Sequence, residues 1–337
     1  MIYFVGVLGL VYAKCPRFEC KKEGWEFSEG VCAYYADESY FVNNCKGDGL
    51  ECKFLKGMNS SCVQTEKTPG LPGEQCKHST DCYGAGVCVD FKCRGIQFAA
   101  PCDSDMDCEV GLYCSSSNLC MFQSNAEPCT SDFSCENFSG CNNTEGLLGN
   151  CAGYFNITEY EYVAKCENNR SQLCSNGYCV PYVEGNRCFG EAINTKPSPY
   201  ICENECQSLP DINLDYLSVF GSCECGLNGN QVKVCSLFYQ DAEARRYFSL
   251  WYDWVTGNYV KFCHTLARGS WKCMKEYWEH YEEFVYRYYS VNLYPYVYMT
   301  ESCVLEVLLP EYWNARIEYE EESLGDCFLF LFLYLCV

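Results

Sequence analysis

GEQCKHSTDCYGAGVCVDFKC (residues 73–93) and PCDSDMDCEVGLYCSSSNLC (residues 101–120) decide how this chain is read. The first carries Cys76, Cys82, Cys88 and Cys93, the second Cys102, Cys108, Cys114 and Cys120. A third set follows at Cys129, Cys135, Cys141 and Cys151. In every set five residues separate the first cysteine from the second and five the second from the third. Three recurrences of one spacing indicate tandem modules. Units this small bury too little apolar surface to fold alone and need covalent staples. Disulfides of that kind persist in oxidising surroundings, so the expected location is the secretory pathway, and beyond it the extracellular space or cell surface.

Working outward, a fourth set at Cys166, Cys174, Cys179 and Cys188 has drifted spacing and reads as a degenerate repeat. The working pairing within each set is first to third and second to fourth, each bridge contributing roughly 2–4 kcal/mol. Glycines precede the third cysteine at Gly84, Gly86, Gly111 and Gly140, where the chain must double back. Asp81 and Asp107 precede the second cysteine and are expected to close turns on nearby backbone amides, a structural role.

These residues resemble the EB, or Dickkopf N-terminal, cysteine-rich repeats. The shared pattern is an acidic stretch ending in Asp107-Cys108, then Gly111, Tyr113-Cys114 and Cys120, with a looser match around Asp81-Cys82. The resemblance spans about 73–151 and implies an extracellular module. No adjacent Cys-Cys pair occurs and no colipase-like second domain follows. The antagonism of Wnt signalling associated with that second domain therefore does not carry over.

The whole chain holds 32 cysteines in 337 residues, an even number, and only three histidines, with no C-x-x-C. Disulfides are therefore expected rather than metal ligation, and no cofactor is expected. A formal charge of −21 argues against nucleic acid or an anionic membrane surface as partner. The partner expected is an extracellular protein or a glycan. Five N-x-S/T sequons, at Asn59, Asn137, Asn142, Asn156 and Asn169, are candidate glycosylation sites.

The fold class expected is a series of small disulfide-rich, loop and short-β tandem modules, followed by a disulfide-tied α-helical domain. Residues 1–13 read as a signal peptide and 14–67 as an N-terminal module of six cysteines, with fifteen pairings open to it. A Pro/Gly run at 68–73 reads as a linker. The tandem repeats (76–93, 102–120, 129–151 and degenerate 166–188) occupy 73–196. A cluster of cysteines and an aromatic-rich helical domain occupy 200–318, with eight cysteines expected to pair internally. Residues 324–337 form an apolar tail ending in CFLFLFLYLCV. Three readings of that tail stay open: the discarded part of a glycolipid-anchor signal, with Ser323, Gly325 or Asp326 as attachment point, a truncated membrane helix, or a buried strand.

Helical spacing places Ala244, Tyr247, Phe248, Trp251 and Val255 on one face of a helix over 240–255. Met274, Trp278, Tyr281, Val285 and Tyr288 form a second stripe, with Ser270 expected to cap that helix. Thr300 is expected to cap a third helix that Pro310 interrupts. The aromatic stripe reads as core before it reads as a sugar or lipid groove. Glu318, Glu320, Glu321 and Glu322 read as a solvated tail rather than a calcium loop. No hydrolase, phosphate-binding or dinucleotide motif is found, and His264 and His280 read as core or surface histidines rather than a catalytic base. The reading is a non-enzymatic surface or secreted protein, a spacer or recognition module, with the tail as a candidate membrane attachment. The alternative is a soluble secreted ligand or inhibitor of a receptor or protease.

Overall fold

The computed structural model describes residues 15–20, 30–46, 49–53, 60–64, 68–143, 147–164, 173–175, 179–182, 185–188, 201–203, 206–208, 219–221, 223–237 and 241–331. The signal-peptide reading, Asn59, Asn169, Cys166 and the tail beyond Leu331 lie outside them.

The N-terminal strands β1 (Arg17–Cys20), β2 (Val31–Ala36), β3 (Ser39–Val42), β4 (Leu50–Lys53) and β5 (Ser60–Gln64) form one sheet in the order β1-β3-β2-β5-β4. Asp37 and Glu38 join β2 to β3 with φ of 51° and 62°, the left-handed pair that a two-residue hairpin needs. Cys32–Cys52 and Cys45–Cys62 close within this sheet. The other two cysteines leave it, as Cys15–Cys225 and Cys20–Cys303. The expectation of a self-contained three-bridge module is thus corrected. The physical reason lies in the sheet's apolar face, where Phe18, Ala33, Tyr40 and Val42 are covered by Leu227, Val304 and Val307 from distant sequence.

Each of the first three repeats pairs first to third and second to fourth, as expected: Cys76–Cys88 with Cys82–Cys93, Cys102–Cys114 with Cys108–Cys120, and Cys129–Cys141 with Cys135–Cys151. Repeat one contains the hairpin β6 (Val87–Val89)–β7 (Lys92–Arg94), and repeat two β8 (Leu112–Cys114)–β9 (Cys120–Phe122). Repeat three contains β10 (Pro128–Cys129), β11 (Ser139–Asn142) and β12 (Gly149–Gly153). Half-cystines make up the buried centre of repeats one and three, and only Leu112 joins them in repeat two. The staples are the core.

Two backbone bonds mark where each repeat begins. Gly70 N donates to Asp81 O and Tyr83 N to Gly70 O, at 2.7 and 2.8 Å. Ile96 repeats this with Asp107 O and Glu109 N, at 2.6 and 2.9 Å. In repeat three Ser124 N donates to Ser134 O, but Asn125 Oδ1 replaces the carbonyl that should accept from Glu136 N. Ile157 makes both bonds with Leu173 O and Ser175 N around Cys174, which pairs with Cys188. The drifted fourth set therefore keeps the backbone pattern of a repeat. The Pro/Gly run is corrected too, since Gly70 is buried inside repeat one and is not part of a free linker.

A side chain three residues before the second cysteine accepts from the third cysteine's amide in all three repeats. The acceptors are Ser79 Oγ for Cys88 (3.1 Å), Asp105 Oδ1 for Cys114 (2.8 Å) and Asp132 Oδ1 for Cys141 (2.7 Å). Asp81 Oδ2 accepts from Lys77 N and His78 N, and Asp107 Oδ2 from Asp103 N and Ser104 N, which is the turn-closing role expected of them.

Short strands follow: β13 (Tyr162–Val163), β14 (Cys179–Tyr182), β15 (Gly185–Cys188), β16 (Ile201–Cys202), β17 (Cys206–Ser208), β18 (Val219–Gly221), β19 (Cys223–Cys225) and β20 (Lys233–Cys235). Cys202–Cys223 and Cys206–Cys235 hold the last of these, and Cys263–Cys273 closes a loop beyond them. Cys225 and Cys303 are claimed by the N-terminal module. Six of the eight late cysteines therefore pair among themselves and two do not, so the expected full internal pairing is corrected.

The helices are α1 (Ala242–Thr256), α2 (Trp271–Tyr277), α3 (Tyr281–Asn292), α4 (Tyr294–Val297), α5 (Ser302–Leu308) and α6 (Pro310–Leu331). The stripe from Met274 to Tyr288 crosses a break and is not one helix. Trp278 is extended, with φ −135° and ψ 122°, which sends its indole into the core beside Trp254 and Phe284. Ser270 stands at the N-cap of α2, but its hydroxyl donates to Glu74 instead. Glu301, not Thr300, precedes α5; the helical run breaks at Leu309 as expected, and Pro310 opens α6, in keeping with its missing N–H and preset φ. The run Glu318–Glu322 lies within α6, where Arg316 pairs with Glu320 at 2.8 Å, so it is no free tail. Residues 327–331 are helical as well, which removes the buried-strand reading for that part of the tail. No helix among the described residues is long and apolar enough to cross a membrane.

Candidate functional site

The segment 260–277 is where the repeats meet the helices. Cys263–Cys273 closes this segment into a loop, and polar groups along it reach three repeats. Repeat one supplies Glu74, whose Oε1 accepts from Ser270 Oγ at 2.5 Å, and Lys92, which pairs with Glu276 at 2.9 Å and contacts the Tyr277 hydroxyl. Repeat two supplies the Asp105 carbonyl to His264 Nε2 at 2.9 Å. Repeat three supplies Asn137, whose Nδ2 donates to Val260 O (3.1 Å) and Cys263 O (2.5 Å) and whose Oδ1 accepts from Thr265 Oγ1 (2.7 Å).

Arg268 closes the same junction. Its guanidinium donates to Ser139 O at 3.0 Å, pairs with Asp132 at 3.5 Å and lies over the Tyr154 ring at 4.8 Å. Beneath it, Tyr154, Phe155, Val163 and Leu173 from the repeat side share one apolar core with Trp251, Trp254, Met274 and Phe284. The repeats are therefore clasped against the helices and do not extend as a free-standing stalk.

His264 has both ring nitrogens committed. Nδ1 accepts from Leu266 N at 3.2 Å, which leaves the proton on Nε2 for the Asp105 carbonyl. Burial pushes its pKa down to about 4, and the nearby Arg268 charge adds to the shift. Such a neutral, enclosed imidazole is a structural group. Because the folded value lies below the unfolded one, stability is complete above about pH 6.5 and is lost as pH falls from there toward 4. The expected loss is about 3 kcal/mol, read by urea denaturation at pH 7.5 and 4.5. A His264→Gln variant should show a flatter profile over that window. An unchanged slope would assign the acid sensitivity elsewhere. His280 is exposed, beside Glu279.

A second feature is a cleft of about 600 Å³ where the N-terminal sheet meets β19, β20 and α4. Pro16, Phe18, Tyr40, Leu227 and Tyr296 line it, with Glu224 and Lys233 as charged groups. The size suits a small ligand, and such sites favour seams between units. Tyr296 donates to Glu224 Oε2 at 2.7 Å, and that bond, with burial, pushes the phenol to about 12. Gly226 shapes the cleft. A Cβ there would lie 2.1 Å from Pro295 O, so Gly226→Ala is expected to destabilise the fold by roughly 1–3 kcal/mol. Thermal unfolding checks this, and a wild-type midpoint would show that α4 yields freely.

The structure distributes the sequence-derived candidates unevenly. All twelve repeat cysteines are bridged, and among the described residues no cysteine is free, so the close cysteine triples are stacked disulfides rather than thiolate ligands. Asn137 is buried, and both its amide hydrogens are donated. Asn142 is half-buried, its Oδ1 accepting from Ala164 N at 2.8 Å, and Asn156 is exposed. The chain matches no protein-family model, no curated protein and no solved structure.

Sequence reasoning missed Arg268, Glu74 and Lys92. Nothing local marks a charged residue that will be paired between two distant segments. The repeats also present apolar side chains outward. Phe91 is 76% exposed, and Phe98 and Phe122 stack at 4.6 Å with Phe122 64% exposed. Val87 and Val89 are exposed beside Phe91 on the hairpin of repeat one.

Proposed function

We propose that this is a non-enzymatic recognition protein of the cell surface or extracellular space, built on EB-like repeats. One observation carries the reading. Every described cysteine from Cys15 to Cys303 is bridged, including two staples that span most of the chain, an arrangement that fits an oxidising compartment. The clasp supports recognition over spacing, because it fixes the repeats against the helices and leaves the apolar residues Phe91, Phe98 and Phe122 outward. Patches of this kind mark contact sites for other proteins. The partner is an extracellular protein, and the cleft at Phe18, Tyr40 and Lys233 is of a size for a glycan unit.

Alkylation under denaturing, non-reducing conditions, followed by intact mass, tests the compartment. No alkylated cysteine is expected, and several reactive thiols would overturn the proposal. Treating intact cells with a phosphatidylinositol-specific phospholipase then separates the two forms. Release into the medium identifies a glycolipid-anchored surface protein. Full-length protein in untreated medium identifies the soluble ligand or inhibitor.

A further inference from the structure

We infer that Asn156 carries an N-linked glycan and that Asn137, in the same kind of sequon, carries none in the folded protein. The inference rests on the secretory reading above and selects among the sequons by geometry.

An asparagine amide has two N–H donors, and glycosylation replaces one of them with a bond to sugar. At Asn137 both are spent, on Val260 O at 3.1 Å and Cys263 O at 2.5 Å, while Oδ1 accepts from Thr265 Oγ1. The residue is 6% exposed and sits between repeat three and the 260–277 loop. A sugar there would break one bond and separate the clasp.

Asn156 presents the opposite arrangement. Tyr154 and Phe155 before it are anchored in the shared core, and Phe155 turns the chain with φ of +56°. Backbone amides of Asn156 and Ile157 both donate to Leu173 O, at 3.1 and 2.9 Å. Asn156 and Thr158, the two residues the sequon requires, are both exposed on this fixed turn. Thr158 holds its place through its backbone, whose amide donates to Glu161 Oε2 at 2.9 Å. Loss of its hydroxyl therefore leaves the turn intact.

Transfer joins Asn156 Nδ2 to the anomeric carbon of an oligosaccharide carried on a lipid pyrophosphate. The sugar–phosphate bond breaks, the lipid pyrophosphate leaves, and the amide gives up one proton.

The test uses full-length protein from the secretory fractions of eukaryotic cells. Treatment with peptide-N-glycosidase in heavy-oxygen water, then peptide mass mapping, labels each formerly glycosylated asparagine. Label is expected at position 156 and not at 137. Thr158→Ala should remove the label at 156 and one glycan's worth of gel mobility, with secretion unchanged. Secreted protein unlabelled at 156, or folded protein labelled at 137, overturns this inference alone. Absence of the chain from every secretory fraction overturns the extracellular reading, and the glycan with it.

Discussion

Replacing Cys20 and Cys303 together by serine is expected to cost about 3–5 kcal/mol of stability, the upper end for one disulfide. The bridge joins residues 283 apart, whereas a bridge inside a repeat such as Cys76–Cys88 joins residues 12 apart. In the chain-entropy account the longer closure removes more freedom from the unfolded chain, although other staples shorten the effective loop. The local consequence is more specific. β1 is an edge strand paired only with β3, and Cys15 just before it and Cys20 at its end are tied to Cys225 and Cys303. Loss of one tie should raise amide exchange first in β1 and in α5, and leave the repeats protected. Removal of both ties should cost more than the two separate losses, since each one shortens the loop the other must close. Urea denaturation with hydrogen-exchange mapping reads both effects. A uniform loss of protection across the repeats would show that the N-terminal sheet is not a separate unit of opening.

Arg268→Met is expected to cost about 3–5 kcal/mol, because it leaves Asp132 and the Ser139 carbonyl without their cation in a buried junction. Methionine keeps much of the side-chain length, so lost packing alone does not account for a change of that size. The signature is spatial: repeat three should exchange faster around Ser139–Gly153, while repeats one and two keep their bonds to Glu276, Ser270 and His264. Chemical denaturation supplies the magnitude. A loss below about 1 kcal/mol would reduce the ion pair to a surface-like contact and place the clasp's strength in Asn137 instead.

The repeat pairing was legible because it is local. Cysteines separated by five residues at fixed intervals leave little choice, and small side chains such as Asp105 and Asp132 recur at one offset to tie the same amide. The helix over 240–255 was legible for a similar reason, as its apolar face repeats at helical spacing and becomes the face buried in the core. The second stripe misled over continuity. Extended Trp278 still delivers its ring to the core, so a regular run of apolar residues survived a break in the backbone.

By itself, then, the sequence determined the disulfide-rich character, the repeat unit with its internal bridges and the position of the first aromatic helix, all of which follow from spacing within about thirty residues. Only the tertiary structure decided that Cys15 and Cys20 leave their own module, that the repeats fold back onto the 260–277 loop, and that Asn137 is a buried clasp residue. Those outcomes depend on which apolar faces meet. The sheet's Phe18 and Tyr40 need cover that Leu227, Val304 and Val307 provide from more than 180 residues away, and long-range burial of that kind leaves no local trace in the chain.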